Sequence, residues 1–120
     1  MPYNKKIGSI GEDIARKYLI RNGYKILDKN YRTKFGEIDI IAKDGRYIVF
    51  IEVKSRKGSK FGYPREAVDS FKQNRLKNLA TLYIANKNLW DSMIRFDVVE
   101  VLLGETDREK SVAIIKNAFD

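Results

Sequence analysis

The sequence predicts an α/β fold in which a mixed central sheet is flanked by helices. Two stretches, residues 9–23 and 65–86, repeat apolar side chains at helical spacing. Between them, residues 37–42 and 46–54 are rich in Ile, Val and Phe and are joined at Asp44-Gly45, a strong hairpin signal. The resulting order of helix, three strands, helix and two strands is not an alternating βαβ array, so the sheet should be mixed.

Each element has its own justification. Ser9 reads as the N-cap of the first helix, with Glu12 three residues later completing a capping box. Ile10, Ile14, Tyr18 and Leu19 follow at helical spacing, and Gly23 ends the helix at C′. Residues 24–33 read as an irregular, partly exposed strand, and the hairpin follows. Residues 55–64 read as a loop with three basic residues. In the second helix Val68, Phe71, Leu76, Leu79, Ala80 and Tyr83 share a stripe. Residues 93–103 and 112–116 supply the last two strands.

The 120 residues suit a single domain, 1–120, with one core of its own. No run approaches the roughly 20 apolar residues that span a bilayer. The start, MPYNKKIGSIGED, lacks the apolar segment of a secretory signal. A cytoplasmic protein without a membrane partner is expected. There are no cysteines, so disulfides, cysteine nucleophiles and Cys-based zinc sites are excluded. There are no histidines either, which removes Ser-His-Asp triads and histidine bases. Acid–base or metal chemistry must therefore rest on Asp, Glu, Lys and Tyr, and an all-oxygen site favours magnesium or manganese.

The net charge is +8, unevenly spread. Residues 1–34 and 54–77 each carry a net of +6, whereas residues 35–53 and 78–120 each carry −2. Strong basicity favours a polyanionic partner, nucleic acid first. A solvated lysine-rich surface is the plainer explanation of the same charge.

The informative stretch is GEIDIIAKDGRYIVFIEVKSR, residues 36–56. Side chains alternate across a strand, so Ile48, Phe50, Glu52 and Lys54 share one face and Tyr47, Val49, Ile51 and Val53 the other. A two-residue turn at Asp44-Gly45 sets Asp39 opposite Phe50, diagonal to Glu52, with Lys54 one step beyond. The same register puts Glu37 opposite Glu52, as a competing ligand or a polar rim. Two carboxylates among Ile, Val and Phe repel one another and need a cation, a shared proton or a close base. The alternative is a solvated strand end for Glu52 and Lys54, with Asp39 in an ordinary salt bridge.

Asp39, Glu52 and Lys54 match the D…(D/E)-x-K signature of the restriction-endonuclease-like superfamily, and the arrangement resembles its nuclease core. Ile38 stands where that pattern usually has proline. The ordered set GEDIARKYL, NYRTKFGEIDIIA, VFIEVKSR, FKQNRL and RFDVV resembles the YraN-type family of small bacterial proteins, from about Gly8 to Val101. That family is similar in fold to archaeal Holliday-junction resolvases. The resemblance implies a restriction-endonuclease-like core and a metal-dependent endonuclease acting on DNA, including branched DNA. Magnesium or manganese would be held by Asp39, Glu52 and the Val53 carbonyl, with Lys54 orienting water or stabilising charge. It also implies a role for a first-helix glutamate, and Glu12 occupies the matching place, although Glu12 also fits as a cap alone.

Basic residues supply the expected nucleic-acid contacts: Arg32, Lys34, Arg56, Lys57 and Lys60, with Phe61 and Tyr63 as wedges or as loop anchors. Lys72 and Arg75 fall within the apolar stripe of the second helix. They either snorkel outward or, with Gln73, aim at the carboxylates or a phosphate. Arg95 and Asp97 read as a structural ion pair. A non-catalytic nucleic-acid-binding protein of the same fold and a basic protein-interaction module are the rival readings. Enzymes of symmetric junctions are naturally two-fold dimers, though the sequence itself marks no homodimer interface.

Overall fold

The chain runs α1 (Lys5–Arg21), β1 (Lys25–Thr33), β2 (Gly36–Asp44), β3 (Tyr47–Lys57), α2 (Ser70–Lys87), β4 (Met93–Leu103) and β5 (Lys110–Phe119). The structure is a computed structural model that describes residues 5–57, 69–104 and 110–119, with side chains from residue 8 onward. The strands lie in chain order, β1-β2-β3-β4-β5, in one sheet. Only β3 and β4 are parallel, because the connection between them carries α2; the other pairs are antiparallel. The fold is therefore the mixed α/β class that the sequence predicts. Among the described residues no helix is long and apolar enough to cross a membrane.

The alternation of β3 divides the core. Ile48 and Phe50 pack with Phe96, Val98 and the buried α2 residues Leu76, Leu79, Ala80 and Tyr83. Val49 and Ile51 pack on the other side of the sheet with Ala15 and Leu19 of α1, Val99 and Val101. Such an apolar run, covered on both faces, is what a central strand requires.

Both helices depart from the sequence reading at their N-terminal halves. Ser9 is not an N-cap, because α1 is already helical at Lys5. Nor does Ile10 lie inward; it is 41% exposed, and the buried line runs Gly8, Gly11, Ala15, Leu19. Small residues face the sheet here because the backbones approach closely: a Cβ on Gly11 would overlap the Ser55 side chain of β3. The helix does end as predicted. Gly23 has φ +90°, its N–H donates to the Ile20 carbonyl, and the Tyr24 N–H donates to that of Leu19. In α2 the Asp69 carboxylate caps the Lys72 N–H. Phe71 is 75% exposed rather than buried, since the packed stripe begins at Leu76. Residues 65–68, Val68 among them, lie outside the described residues, and β5 is longer than predicted at both ends.

The hairpin register also differs. Asp44 pairs with Tyr47 and Ile40 with Ile51, so Gly45-Arg46 forms the connection in place of Asp44-Gly45. Gly45 supplies the left-handed φ of +62°. Asp44 stays in the strand because Arg95 holds its carboxylate at 2.8 Å. The shift moves each pairing by two positions and so preserves the faces of the paired residues, whereas Ile38, beyond the paired stretch, packs on the same side as Ile41.

Candidate active site

The β2–β3 pairing reaches Ile40 and Ile51 and stops there. One residue further along each strand stand Asp39 and Glu52. In place of a ladder bond, the Val53 N–H donates to Asp39 Oδ2 at 2.8 Å. Glu52 is only 7% exposed and lies on the α2 side, one step beyond Phe50. Its Oε1 receives Lys72 Nζ at 2.8 Å and faces Lys54 Nζ at 3.5 Å. Two strands and a helix thus bring Asp39, Glu52, Lys54 and Lys72 together at the point where β2 and β3 part.

The electrostatics follow from this crowding. Burial, then the negative charge of Glu52, pushes the Asp39 carboxyl up to about 8, against the opposing pull of the Val53 N–H. Glu12 is raised by partial burial and then by Glu37 and Glu52, with Arg32 opposing. Burial lowers Lys54, and the neighbouring Lys72 adds to this, while Glu52 works the other way. Burial also disfavours charge on Lys72, but its contact with Glu52 overrides that and raises it. A cavity of about 430 Å³ opens beside Asp39, with Glu12, Arg16, Arg32 and Glu37 on its walls. Glu37 forms a 2.8 Å ion pair with Arg32 on the exposed β1–β2 edge, so it belongs to the rim and does not face Glu52 through the ladder.

The remaining predicted residues are dispersed. Lys34 lies over its neighbour Phe35, and Arg75 lies over Phe71 with its stem against Gly36, so neither is ion-paired with Asp39 or Glu52. Gln73 is half-buried at the start of α2, and Lys57 is exposed at the end of β3. Lys60, Phe61 and Tyr63 lie outside the described residues. Arg56 is half-buried, with its Nε lacking a hydrogen-bond partner. Arg95 and Asp97 do pair, at 2.8 Å, in a network with Tyr24 and Asp44, and Asp97 stands opposite Ile51, one register position before Glu52. Glu100, opposite Lys54 in the parallel register, is 3% exposed, and neither of its carboxylate oxygens has a hydrogen-bond partner. Sequence reasoning passed over it, although an acid inside the apolar run DVVEVLL carries the same signal as Asp39 and Glu52.

Among the described residues no three acidic side chains converge closely enough to hold a metal ion by themselves. The donor set still suits a hard cation. Two carboxylates and a main-chain carbonyl at Val53 are all oxygen, and magnesium commonly takes only one or two carboxylates, filling its other positions with water and phosphate. The unrelieved repulsion on Asp39 is what such an ion would remove.

Comparison with known proteins gives the lineage. The family described as "Uncharacterised protein family UPF0102" matches residues 11–101. The chain belongs to this family. A UPF0102 protein of Clostridium tetani is 50% identical over 117 residues, covering 98% of this chain and 96% of the relative. One from Clostridium kluyveri is 48% identical with the same coverage. Another, from Clostridium botulinum strain Loch Maree, is 52% identical over 97% of this chain and 95% of its own. The UPF0102 match spans every residue of the Asp39, Glu52, Lys54 and Lys72 cluster and also Glu12.

Proposed function

We propose that this chain is a metal-dependent nuclease of restriction-endonuclease-like type that hydrolyses DNA phosphodiesters. The observation carrying this reading is the meeting of Asp39, Glu52 and Lys54 where the β2–β3 ladder ends. Asp39, Glu52 and the Val53 carbonyl would hold magnesium or manganese. When bound, the ion would polarise the phosphate and acidify the attacking water. The chain's own residues do the rest. The Val53 N–H orients Asp39 toward the β3 side. Lys54 and Lys72, both directed at one Glu52 oxygen, supply positive charge where a pentacovalent phosphorus develops negative charge. Glu12 borders the cavity and would position water or a further cation contact. Arg32, Lys34, Arg56, Lys57 and Lys60 would hold the backbone without reading sequence.

One observation favours a second reading, a nucleic-acid-binding protein without catalysis. Lys72 already neutralises Glu52 at 2.8 Å, as it would in a site that needs no metal. Incubating the purified protein with linear duplex, single-stranded and four-way DNA, with magnesium or manganese, separates the two. Cleavage that disappears in Asp39→Ala supports the enzyme. Binding without cleavage across all three substrates supports the binder.

A further inference from the structure

The β1–β2 turn and the first turn of α2 place two phenylalanines in solvent next to the candidate site. Phe35 is 60% exposed and Phe71 is 75% exposed. Single exposed apolar side chains are ordinary on protein surfaces. These two are linked, and each carries a cation. Lys34 Nζ lies 5.3 Å from the Phe35 ring centre, and the Arg75 guanidinium carbon 5.9 Å from that of Phe71. Gly36, adjoining Phe35, has φ +136°, and a Cβ there would stand 3.3 Å from Arg75 Cδ. The Arg75 stem therefore crosses bare backbone and joins the turn to the helix. Both elements also lead directly to the site. Phe71 precedes Lys72, which reaches Glu52, and Gly36 precedes Glu37, which borders the cavity with Asp39.

We propose that Phe35 and Phe71 form a stacking platform for unpaired bases of a DNA strand whose phosphates rest on Lys34 and Arg75. This deepens the nuclease reading and rests on its premise that the site takes DNA. Every base has a π-face, so aromatic rings flanked by cations hold bases with little sequence preference. Inside a duplex those faces are already covered by neighbouring bases, so the platform selects DNA with single-stranded arms or other unpaired bases. An acidic protein partner would use the cations and leave both rings idle.

The test is fluorescence anisotropy in EDTA, so that no cleavage intervenes. Blunt duplex is compared with the same duplex bearing a single-stranded arm. Phe35→Ala and Phe71→Ala should each weaken binding to the armed DNA about tenfold, the scale of one lost base–aromatic stack. Blunt-duplex affinity should change by less than about twofold, since its contacts are to phosphates. Phe35→Tyr and Phe71→Tyr should bind the armed DNA like wild type. A 2-aminopurine in the arm should change fluorescence with wild type and not with the double alanine variant. Equal losses on both DNAs, or no loss on either, would overturn the platform while leaving the DNA reading in place. Wild type that binds neither DNA overturns both.

Discussion

Asp39 works under two opposing demands, burial and the need to be charged. Its carboxyl is pushed up to about 8, so at neutral pH it keeps a proton in the absence of a cation. A divalent ion must displace that proton. Metal affinity should therefore climb with pH by up to about tenfold per unit and level off above about pH 8, as calorimetry at several pH values would read. The stability consequence has a definite sign. The folded state holds the proton more tightly than the unfolded chain, so this group's contribution falls as pH rises from 3.8 towards 8. In EDTA, Asp39→Asn should gain stability relative to wild type across that window, measured by urea unfolding. Lys54 makes a different prediction, because a cation does not ligate a cation. Lys54→Ala should keep metal and DNA binding near wild type and lose about 10²–10³-fold in turnover, since its charge matters as the transition state forms. Turnover unchanged in Lys54→Ala would move any activity elsewhere.

Among the elements, α1 is constrained by a close approach at Gly11. Replacing a helical glycine with alanine ordinarily stabilises by up to about 1 kcal/mol. At Gly11 the new methyl would overlap Ser55, and overpacking of this kind costs about 1–3 kcal/mol. Gly11→Ala should therefore be net destabilising, and Ser55→Gly in the same chain should recover part of the loss in a double-mutant cycle. This contact also explains where the sequence was readable. The hairpin, the order of elements and the faces of β3 follow from period-two alternation, which survives a register error of two positions. Apolar periodicity misplaces the start of α1 because it weights large side chains such as Ile10, whereas the inner line is built from Gly8, Gly11 and Ala15. Phe71 misleads for the opposite reason: it has the right spacing but precedes the buried stripe of α2, which begins at Leu76. Asp39, Glu52 and Lys54 were legible because acids and a lysine inside an Ile-Val-Phe hairpin are conspicuous. Lys72 showed as a cation within an apolar stripe. Glu100 carries the same kind of signal, outside the matched motif.

The whole molecule is built around a fastened region and an open one. Near the hairpin turn, Arg95 binds Asp97 and Asp44 at 2.8 Å and contacts the Tyr24 hydroxyl, while Asp97 also accepts the Asn117 N–H. This joins the end of β2, β4, β5 and the residue before β1. Asp97 is fully buried, so Asp97→Ala would leave Arg95 short of a partner and should cost about 3–5 kcal/mol in denaturant unfolding. Toward the other end of β2 and β3 the ladder stops, and the candidate site lies there. The basic segments on either side of the acidic hairpin predict a salt-sensitive, nearly sequence-blind interaction with duplex DNA. The log–log slope against salt should be about −0.9 for each phosphate neutralised. Binding that stays level from low to physiological salt would exclude this mode.

The bond from Val53 to Asp39 makes one main-chain proton a witness to the state of the site. An amide donating to a carboxylate shifts its resonance when that carboxylate gains a proton or a cation, because the charge it points at changes. The Val53 amide in a ¹⁵N-labelled sample should therefore trace the protonation of Asp39 without any substrate. Its hydrogen exchange should also separate two substitutions often treated as equivalent. Asparagine keeps an oxygen for this N–H to meet, whereas alanine leaves it unpaired beside the core, so only Asp39→Ala should accelerate exchange there.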